Sequence, residues 1–566
     1  MVERAASFPD SFQGLVRACS SFYKNNLEKI RAEHVCQTRS NLSGFARVFH
    51  EQCGTLTPSV KKRLEDLGSG NCVVLMTAHQ PNFFAYNGVF RKATLSFVLS
   101  EHLSRILGVP VVNFFGIADQ DFTDDRWVRS CQLPAVQKSE GTLAICVKLP
   151  ERMMLCKVAK PSEELLRAWE SQIGKWISET VNSVSCLLKK AGLGSLSKDA
   201  ETKLGENFKS LWGIVEECYE RSVNFSDFNA FLLSKVINEV WGYDTLFARF
   251  SECQQAFDDD FGYLLSRFDD YSSLLKEASE LPCQIAESEG VTDQEPLLVP
   301  FWYHCDCGSK AKLLMRNEGE SLAGHGTCMK CGRFFTLDFG SKSNPRLSGI
   351  SSRVSARAIA MNLVFFRGLL PCVYVGGVGG ARYLTEALHV ADGLGIPFAP
   401  IAIWRPHDRY LGVGQFEALL ERKRICSSLG VHDPTQAQSL LEAMTCEARK
   451  TLDSLELEKR RLEEELEKNP DNIRIREEIV QTSVARTRAG RTLELSVLAN
   501  ESRILRNAAV ATDLMPSIID YAVNIGLEET SQQWRKHLEE KGDLTSDVQL
   551  ASVLNRSVNT EIERIL

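Results

Sequence analysis

Three segments of this chain carry groups suited to chemistry, and each follows an apolar, β-branched run that predicts a buried strand. The segments are His79–Gln80, Asp119–Asp121 and Gly376–Gly380, and the runs before them are 73–76, 111–117 and 369–375. Open α/β sheets bind ligands at the carboxyl ends of their strands. Three such ends in one chain predict one site assembled from distant segments, and therefore an enzyme.

The glycine cluster is suited to an anion. Gly376, Gly377, Gly379 and Gly380 come just before a helix predicted from Ala381 to Leu394. Free amides and the positive end of a helix attract phosphate or carboxylate, and glycine lets the ligand approach closely. We expect these glycines to contact a nucleotide, although a tight turn that merely needs glycine would give the same pattern. The spacing is not the G-x-G-x-x-G fingerprint of nicotinamide-binding proteins.

His79 and Gln80 follow the first predicted strand, and Lys92 lies about one turn into the predicted helix behind it. A histidine with a neighbouring amide can bind phosphate or hold a developing charge, and a lysine can reach back to the same place. We predict that His79 is catalytic and that Gln80 and Lys92 bind the nucleotide. The structural alternatives are a packed turn histidine and an exposed lysine.

Two pairs of like charges are further candidates for catalysis. Asp119 and Asp121 are separated by one residue, so in an extended chain they share a face and can hold an ammonium or a metal together. Arg353 and Arg357 lie four residues apart, on one face of a predicted helix, where they can clamp a carboxylate or phosphate. A solvated turn and a solvated helix face are the respective alternatives.

Two close cysteine pairs, each followed by glycine, can surround one tetrahedral ion. The pairs are Cys305 with Cys307 and Cys328 with Cys331. Four thiolates around zinc form a closed, structural site, so we predict a zinc-ribbon-like module that performs no chemistry itself. Because the first pair is unusually tight, His304 or His325 could replace one sulfur. Four incidental reduced cysteines are the other alternative.

Length and composition bound the class of protein. With 566 residues the chain is expected to form two to four domains, and its 44% apolar and 25% charged residues are typical of a globular protein. A net charge of −7 gives no general attraction to nucleic acid. No apolar run is long enough to span a bilayer, and none near Met1 resembles a secretory signal. The 18 cysteines are scattered, so we expect a cytoplasmic protein without a membrane or nucleic-acid partner.

Alternating strand and helix signals predict an α/β fold whose parallel sheet is interrupted by inserts. The predicted crossover helix after the first strand runs from Phe90 to Leu107 and ends at Gly108. The predicted units are an N-terminal helical segment (1–70), the first half of the sheet (71–158), a helical insert (159–298), the zinc-ribbon-like module (299–342), the second half of the sheet (343–420) and a C-terminal helical domain (421–566).

The insert is predicted to be helical until Ala286–Gly290 ends it. Its predicted helices run from Glu163 to Leu188, Lys203 to Arg221, Phe228 to Phe250 and Cys253 to Ala278. They are amphipathic, and we expect their packing to be anchored by Trp169, Trp176, Trp212 and Trp241.

A leucine-rich hairpin is predicted in the C-terminal domain. Its first helix is predicted from Glu442 to Lys468, with leucines at the coiled-coil spacing of seven and four, at Leu455, Leu462 and Leu466. Asn469 is the predicted N-cap of a second helix, from Ile473 to Val510. We expect an antiparallel coiled coil that forms a homodimer, with packing inside the monomer as the alternative.

Together these segments resemble the bacillithiol-biosynthesis cysteine-adding enzymes, the BshC family, in order along nearly the whole chain. Thr77-Ala78-His79-Gln80 resembles that family's T-G-[QH]-Q motif, and Asp119-Gln120-Asp121-Phe122 resembles its D-H-D-F element. Tyr374 to Gly379 resembles its Y-V-G-G-P-G turn, with Arg353 near its L-R-P arginine and Tyr383 at the tyrosine that follows the turn. The chain is identified as a divergent member, because it departs from the family at Ala78, Ser352, Val354, Val378 and Gly380 and carries the additional cysteine module. That module, from Tyr303 to Gly308, also resembles a metal-binding segment of class I lysyl-tRNA synthetases.

The resemblance implies a Rossmann-like core related to class I aminoacyl-tRNA synthetases, with inserts and a dimerising coiled coil. It implies a ligase that joins cysteine to the amino group of glucosaminyl malate, and we expect ATP to activate the carboxylate. In this interpretation His79, Gln80 and the glycine amides contact the nucleotide, Asp119 and Asp121 hold an ammonium or amine, and Arg353 neutralises a carboxylate or phosphate. Two alternatives stay open: a synthetase-like enzyme with another acceptor, such as tRNA, and a non-catalytic scaffold.

Overall fold

The computed structural model describes residues 8–192, 194–281, 297–318, 320–347, 349–405, 407–492 and 495–557. Its helices, α1 to α21 in chain order, span Phe12–Asn25, Leu27–Ile30, Glu33–Cys53, Pro58–Gly68, Asn87–Leu107, Arg126–Arg129, Glu163–Lys190, Lys198–Arg221, Phe225–Ser234, Phe250–Cys253, Asp258–Ser266, Phe268–Ser279, Ala358–Gly368, Ala381–Leu394, Val413–Ser428, Pro434–Lys468, Ile473–Thr492, Leu495–Asp513, Ile518–Asn524, Leu527–Glu540 and Val553–Ser557. Its strands, β1 to β14, span Val73–His79, Val111–Ile117, Ser130–Pro134, Thr142–Cys146, Leu246–Arg249, Phe301–His304, Lys310–Glu318, Ser321–Cys328, Phe334–Ser341, Val354–Ala356, Val373–Gly376, Ile401–Ile403, Asp408–Arg409 and Val548–Gln549. The predicted mixed α/β class is confirmed.

A parallel sheet of five strands lies at the centre, in the order β12-β11-β1-β2-β5. Both of its faces are covered: Val73 and Leu75 belong to one hydrophobic core with α5, and Val74 and Met76 belong to another with α3, α4 and α13. The predicted crossover is α5, which joins β1 to β2. It ends at Gly108, whose φ of 65° is the left-handed conformation that glycine adopts without strain.

The helix predicted from Phe228 to Phe250 is wrong in its second half. A π-helical turn follows α9 at Lys235–Val240, and Leu246–Arg249 then forms β5, which pairs with the end of β2. Gly242, at a φ of 71°, lies in the turn between them. A short apolar run can form part of a helix or a strand, and here it forms a strand because it pairs with the edge of β2. The helix predicted from Cys253 to Ala278 is also broken: α10 ends at Cys253, a 3-10 turn spans Gln254–Phe257, and α11 and α12 follow.

Two other predicted insert helices are confirmed as α7 and α8. Each begins at a serine, Ser162 or Ser197, whose side chain accepts an amide hydrogen bond from the first turn. The predicted end of the insert, at Ala286–Gly290, lies outside the described residues. The four tryptophans predicted to anchor the packing are all buried: Trp169, Trp176, Trp212 and Trp241.

A second sheet is antiparallel, and the four predicted metal ligands lie at the end of β8 and in the turns after β6 and β8. Its strand order is β10-β6-β7-β8-β9, and we call β6 to β9 with their turns the cysteine module. Gly326 lets β7 and β8 approach closely, since a Cβ there would lie 1.9 Å from the carbonyl oxygen of Lys312. The predicted helix around Arg353 and Arg357 is wrong: Val354–Ala356 is β10, which pairs with β6, so the two arginines share no helical face.

The predicted long C-terminal helix pair is confirmed. Its first helix, α16, is 35 residues long, and Arg486 of α17 pairs with Glu456 of α16 at 2.7 Å. In the second arm the structure describes α17 up to Thr492 and α18 from Leu495, and residues 493–494 between them lie outside the described residues. Asn469 is not an N-cap, because it ends α16; Asn472 Oδ1 instead accepts the amide of Ile475 at 3.3 Å.

After the hairpin the chain returns to the core of the parallel sheet. Ser517 donates its hydroxyl to the carbonyl oxygen of Phe84 at 2.6 Å, and Trp534 of α20 is fully buried in the same core as α5. β14 pairs with β13. The end of the segment predicted as a C-terminal helical domain therefore packs with the first half of the sheet. Within the described ranges, no helix combines the length and apolarity needed to cross a bilayer.

Candidate functional site

A cavity of about 650 Å³ opens at the carboxyl ends of β1, β2 and β11. Its walls come from the segments that follow these strands, from α5, α13 and α14, and from the cysteine module. Among the predicted site residues, the structure brings these to the cavity wall: His79, Gln80, Lys92, Asp121, Gly376, Gly377, Gly379 and Gly380. Asp119 and Arg353 lie elsewhere.

His79, Gln80 and Asp121 form a hydrogen-bonded chain along one wall. His79 Nδ1 lies 3.0 Å from the carbonyl oxygen of Gln80, which can only accept, so Nδ1 carries the proton and Nε2 is an acceptor. Burial lowers the pKa of His79 to about 3, with a smaller contribution from Lys92, so the ring is neutral at pH 7. Gln80 Nε2 donates to Asp121 Oδ2 at 3.0 Å and fixes that carboxylate in the wall.

Asp121 is the acidic member of this hydrogen-bonded set, and Asp125 also lines the cavity. Burial raises its pKa, and the charge of Lys310 and the hydrogen bond from Gln80 oppose that rise. A carboxylate that is buried but has one cationic neighbour can hold an incoming ammonium or accept a proton from it.

Lys92 provides the positive charge at the glycine end. Its Nζ donates to the carbonyl oxygen of Ala78 at 3.3 Å, and the side chain is buried. Burial lowers the pKa of Lys92 to about 7. A Cβ on Gly377 would lie 3.4 Å from Lys92 Cε, so the glycine and the lysine share one end of the cavity. Backbone amides, the start of α14 and this lysine together suit a phosphate.

Asp119 does not share a face with Asp121. Its carboxylate is fully buried and accepts the Ser251 amide at 2.8 Å and the Ser251 hydroxyl, at the start of α10. Burial raises its pKa to about 7. The chain turns between the two aspartates, since the amide of Asp121 donates to the carbonyl oxygen of Ala118 at 3.2 Å. Asp119 therefore holds β5 and α10 against β2.

Arg353 belongs to the cysteine module. Its guanidinium donates to Asp306 Oδ1 at 2.6 Å and to the carbonyl oxygen of His304 at 3.0 Å, and it lies 4.9 Å from the ring of Tyr303. Asp306 stands between Cys305 and Cys307, so Arg353 stabilises the turn that carries two of the cysteines. It does not line the cavity.

Several cavity residues were not predicted, and five of them matter for the chemistry of the site. Asn82, Gln120 and Asn362 are buried amides, and each has side-chain atoms without a hydrogen-bond partner in the protein. Trp302 and Lys310 come from the cysteine module. Gln120 lies inside the Asp119–Phe122 motif and Asn82 follows Gln80 by two residues, and these positions were the available signal. The two module residues gave none, because their position depends on how the module packs.

The four cysteine sulfurs form one cluster that could hold a metal ion, with all sulfurs within 4.8 Å of one another. Cys305 Sγ lies 3.6 Å from Cys331 Sγ, and Cys307 Sγ lies 3.5 Å from Cys328 Sγ. Neither histidine replaces a sulfur among the described residues: the His304 ring lies 3.0 Å from the Ser355 hydroxyl, and His325 is not part of the cluster.

A scan against protein-family models finds no match for this chain, and a search of curated proteins finds no significant match. The geometry of the cavity therefore carries the interpretation of its chemistry. One end suits an anion through the glycine amides and Lys92, and the Asp121 wall suits a cation. A molecule with a phosphate near an amine fits this division.

Replacing Gly379 by alanine is expected to weaken nucleotide binding about tenfold or more without lowering stability. A Cβ there meets no protein atom within 4 Å, so it would intrude only into the space that a phosphate would use. Isothermal titration calorimetry with MgATP and thermal unfolding measure the two effects. The control is Gly213→Ala in α8, where a Cβ is also unobstructed. Unchanged ATP affinity in Gly379→Ala would remove the glycine turn from the site.

Proposed function

We propose that this protein is an ATP-dependent ligase that joins an amino acid, cysteine first, to the amine of a small molecule such as glucosaminyl malate. The observation that carries the proposal is that the His79–Gln80, Asp121 and glycine-turn segments line one cavity. These are the segments that resemble the BshC family. The central parallel sheet supports the Rossmann-like core, related to class I aminoacyl-tRNA synthetases, that the resemblance implies.

In an ATP-dependent ligase the carboxylate oxygen attacks a phosphorus of ATP, forming an oxygen–phosphorus bond and breaking a phosphoanhydride bond, so that pyrophosphate or ADP leaves. The glycine turn and Lys92 would hold the phosphates and spread the charge that develops during this transfer. His79 would contribute the neutral acceptor Nε2 toward a hydroxyl or amine of the substrates. It would not contribute positive charge, since its ring is neutral at pH 7.

Amine attack on the activated carboxyl forms the carbon–nitrogen bond, breaks the carbon–oxygen bond to the phosphorus-bearing group and releases a proton. Asp121 is our candidate to hold the amine and to accept that proton. Its raised pKa brings its basicity closer to neutral pH than that of an exposed aspartate. The bond from Gln80 keeps the carboxylate directed along the wall.

The decisive experiment is cysteine-dependent ATP turnover by the purified protein, with and without glucosaminyl malate and against the other amino acids. Cysteine-specific turnover that requires glucosaminyl malate supports the proposed ligase. Turnover with an amino acid alone, or with tRNA, would favour a synthetase-like enzyme with another acceptor. Absence of turnover and of nucleotide binding would favour a scaffold.

We propose structural zinc as the ion of the cysteine cluster. Zinc–sulfur bonds of about 2.3 Å in a tetrahedron put the sulfurs about 3.8 Å apart. The observed separations of 3.5 and 3.6 Å lie close to that value. Zinc bound by four thiolates has no open position, so it would stabilise the module without entering the reaction. The described cysteines are all free thiols, which fits the expected cytoplasmic location.

ATP affinity is expected to fall as the pH rises above about 7, by up to about tenfold per pH unit. Lys92 binds phosphate as the ammonium, and its pKa of about 7 means that this form is lost as the pH rises through neutrality. Bound phosphate raises the pKa, so binding takes up a proton. Calorimetry between about pH 6 and 8.5 should show the slope, and Lys92→Met should abolish it. Lys189→Met, at an exposed position of α7, is the control. A flat profile in the unaltered chain contradicts the assignment.

We also propose that the hairpin of α16 and α17 forms a homodimer. Leu457 and Val480 are 71% and 62% exposed on it. The double change Leu457→Glu with Val480→Glu is expected to halve the mass measured by light scattering. Ile106→Glu, at a 56% exposed position at the end of α5, should leave the mass unchanged. A dimer that survives the double change would mean that the hairpin packs only within its own chain.

A further inference from the structure

The cysteine module contributes a wall to the cavity. Lys310 of β7 is 3% exposed, and its Nζ lies 4.4 Å from the centroid of the Phe122 ring and 5.2 Å from that of Trp302. The two rings meet edge to face, with centroids 6.0 Å apart. Phe122 belongs to the core, whereas Trp302 and Lys310 belong to the module. The buried ammonium of Lys310 therefore lies against two aromatic rings, one from the core and one from the cysteine module.

Hydrogen bonds fix the module against this wall. The amide of Met154 donates to the carbonyl oxygen of Gly308 at 2.8 Å, and Arg152 donates to the carbonyl oxygen of Met329 at 3.1 Å. Met154 also forms a bridge with Phe122. Both cysteine turns therefore contact the core segment 152–154, which pairs with Phe122, and Lys310 follows the first turn directly.

The charged and amide side chains of the cavity indicate what kind of ligand would complement them. Asp121 and Lys310 line the same cavity, and the charge of Lys310 favours the ionised form of Asp121. Asn82 and Gln120 line the same cavity. Both polar side-chain atoms of Asn82 and the Oε1 atom of Gln120 have no hydrogen-bond partner in the protein. An anionic and a cationic side chain in one cavity, together with amide groups that have unpartnered atoms, complement a small zwitterion, with its carboxylate toward the lysine.

We propose that Lys310 and Trp302 form an anion subsite supplied by the cysteine module, and that it binds the carboxylate of a small α-amino acid whose ammonium faces Asp121. The subsite itself is argued from the geometry and does not depend on the proposed function. Its assignment to an amino acid rests on the proposed function. A binding site built partly from the module also means that ligand affinity depends on a folded module.

Iodide quenching of Trp302 fluorescence tests the subsite without any substrate. The fluorescence of Trp302 is obtained by subtracting the signal of the Trp302→Phe variant from that of the protein that keeps Trp302. This subtraction is made once with Lys310 present and once in the Lys310→Met background. Lys310→Met is expected to reduce iodide quenching of Trp302 at least about twofold while leaving quenching by neutral acrylamide unchanged. The guanidinium of Arg357, 4.2 Å over the Trp302 ring, is present in all samples and cancels. Unchanged iodide quenching overturns the subsite, and so does a parallel loss with both quenchers, which would mean that Lys310 only packs.

Calorimetry with cysteine, cysteamine and 3-mercaptopropionate tests the ligand. Losing a charge-assisted bond should weaken cysteine and 3-mercaptopropionate about tenfold or more in Lys310→Met, and cysteamine, which lacks the carboxylate, less than about twofold. Lys312→Met, on the same strand but outside the cavity wall, is the control. Equal weakening of all three compounds overturns the carboxylate assignment. If the unaltered chain binds none of them, the proposed function fails, and iodide quenching alone then decides whether the subsite exists.

Discussion

Replacing Asp121 by asparagine is expected to lower turnover at least about a hundredfold while the fold and the metal content stay unchanged. Asparagine keeps the shape and can still accept the bond from Gln80, but it carries no charge for the ammonium and cannot accept a proton. The Asp121 side chain lines the cavity, and its carboxylate accepts the hydrogen bond from Gln80. Steady-state kinetics with saturating ATP and circular dichroism measure the two parts of the prediction.

Asp119→Asn is the matched control, because it changes the same residue type two positions away. Asp119 has a pKa of about 7, raised by burial above its value in the unfolded chain. The stability it contributes is thus largest at low pH and declines as the pH rises toward 7. Asparagine resembles the protonated acid, so stability at neutral pH should change little and turnover should persist. Turnover lost in Asp119→Asn and kept in Asp121→Asn would reverse the roles assigned here.

Local signals account for the parts of the fold that the sequence predicted well. The crossover α5 combines a strong apolar pattern with a terminal glycine, Gly108, and α16 and α17 are separated by Asn469 and Pro470. The strands β1, β2 and β11 read as apolar runs because both faces of a parallel sheet are covered. Such signals depend only on residues close together in the chain, so they need no knowledge of the tertiary contacts.

The errors occur where a distant partner decides the local structure. Leu246–Arg249 is a strand only because the edge of β2 accepts it. The residues that follow Arg353 form β10 and not a helix, because they pair with β6. The spacing of Asp119 and Asp121 predicted a shared face only for extended chain, and the hydrogen-bonded turn after β2 separates them. Lys310 enters the cavity through the packing of the module, which no residue near it in sequence encodes.

Removing the proposed zinc is expected to unfold the cysteine module and abolish the proposed amino-acid binding while the parallel sheet stays folded. The four sulfurs lie within 4.8 Å of one another, so without a cation thiolate charges there would repel one another and nothing would hold the two cysteine turns together. Structural zinc sites contribute roughly 10–16 kcal/mol of apparent binding free energy, far more than so small a sheet can replace by packing. Hydrogen exchange after treatment with a chelator in reducing buffer should show protection lost in β6 to β9 and kept in β1 and β2.

Cys331→Ser should reproduce the effect of chelation, with less than one metal ion bound per chain by elemental analysis, whereas Cys186→Ser, at an exposed position of α7, should not. If the module forms the wall that carries Lys310, cysteine affinity should fall together with the loss of protection, and added zinc should restore both in the unaltered chain. ATP affinity should fall much less, because the glycine turn and Lys92 belong to the parallel sheet and α5. Equal loss of ATP and cysteine binding would mean that the metal supports the whole fold. Retention of both would separate the module from the site.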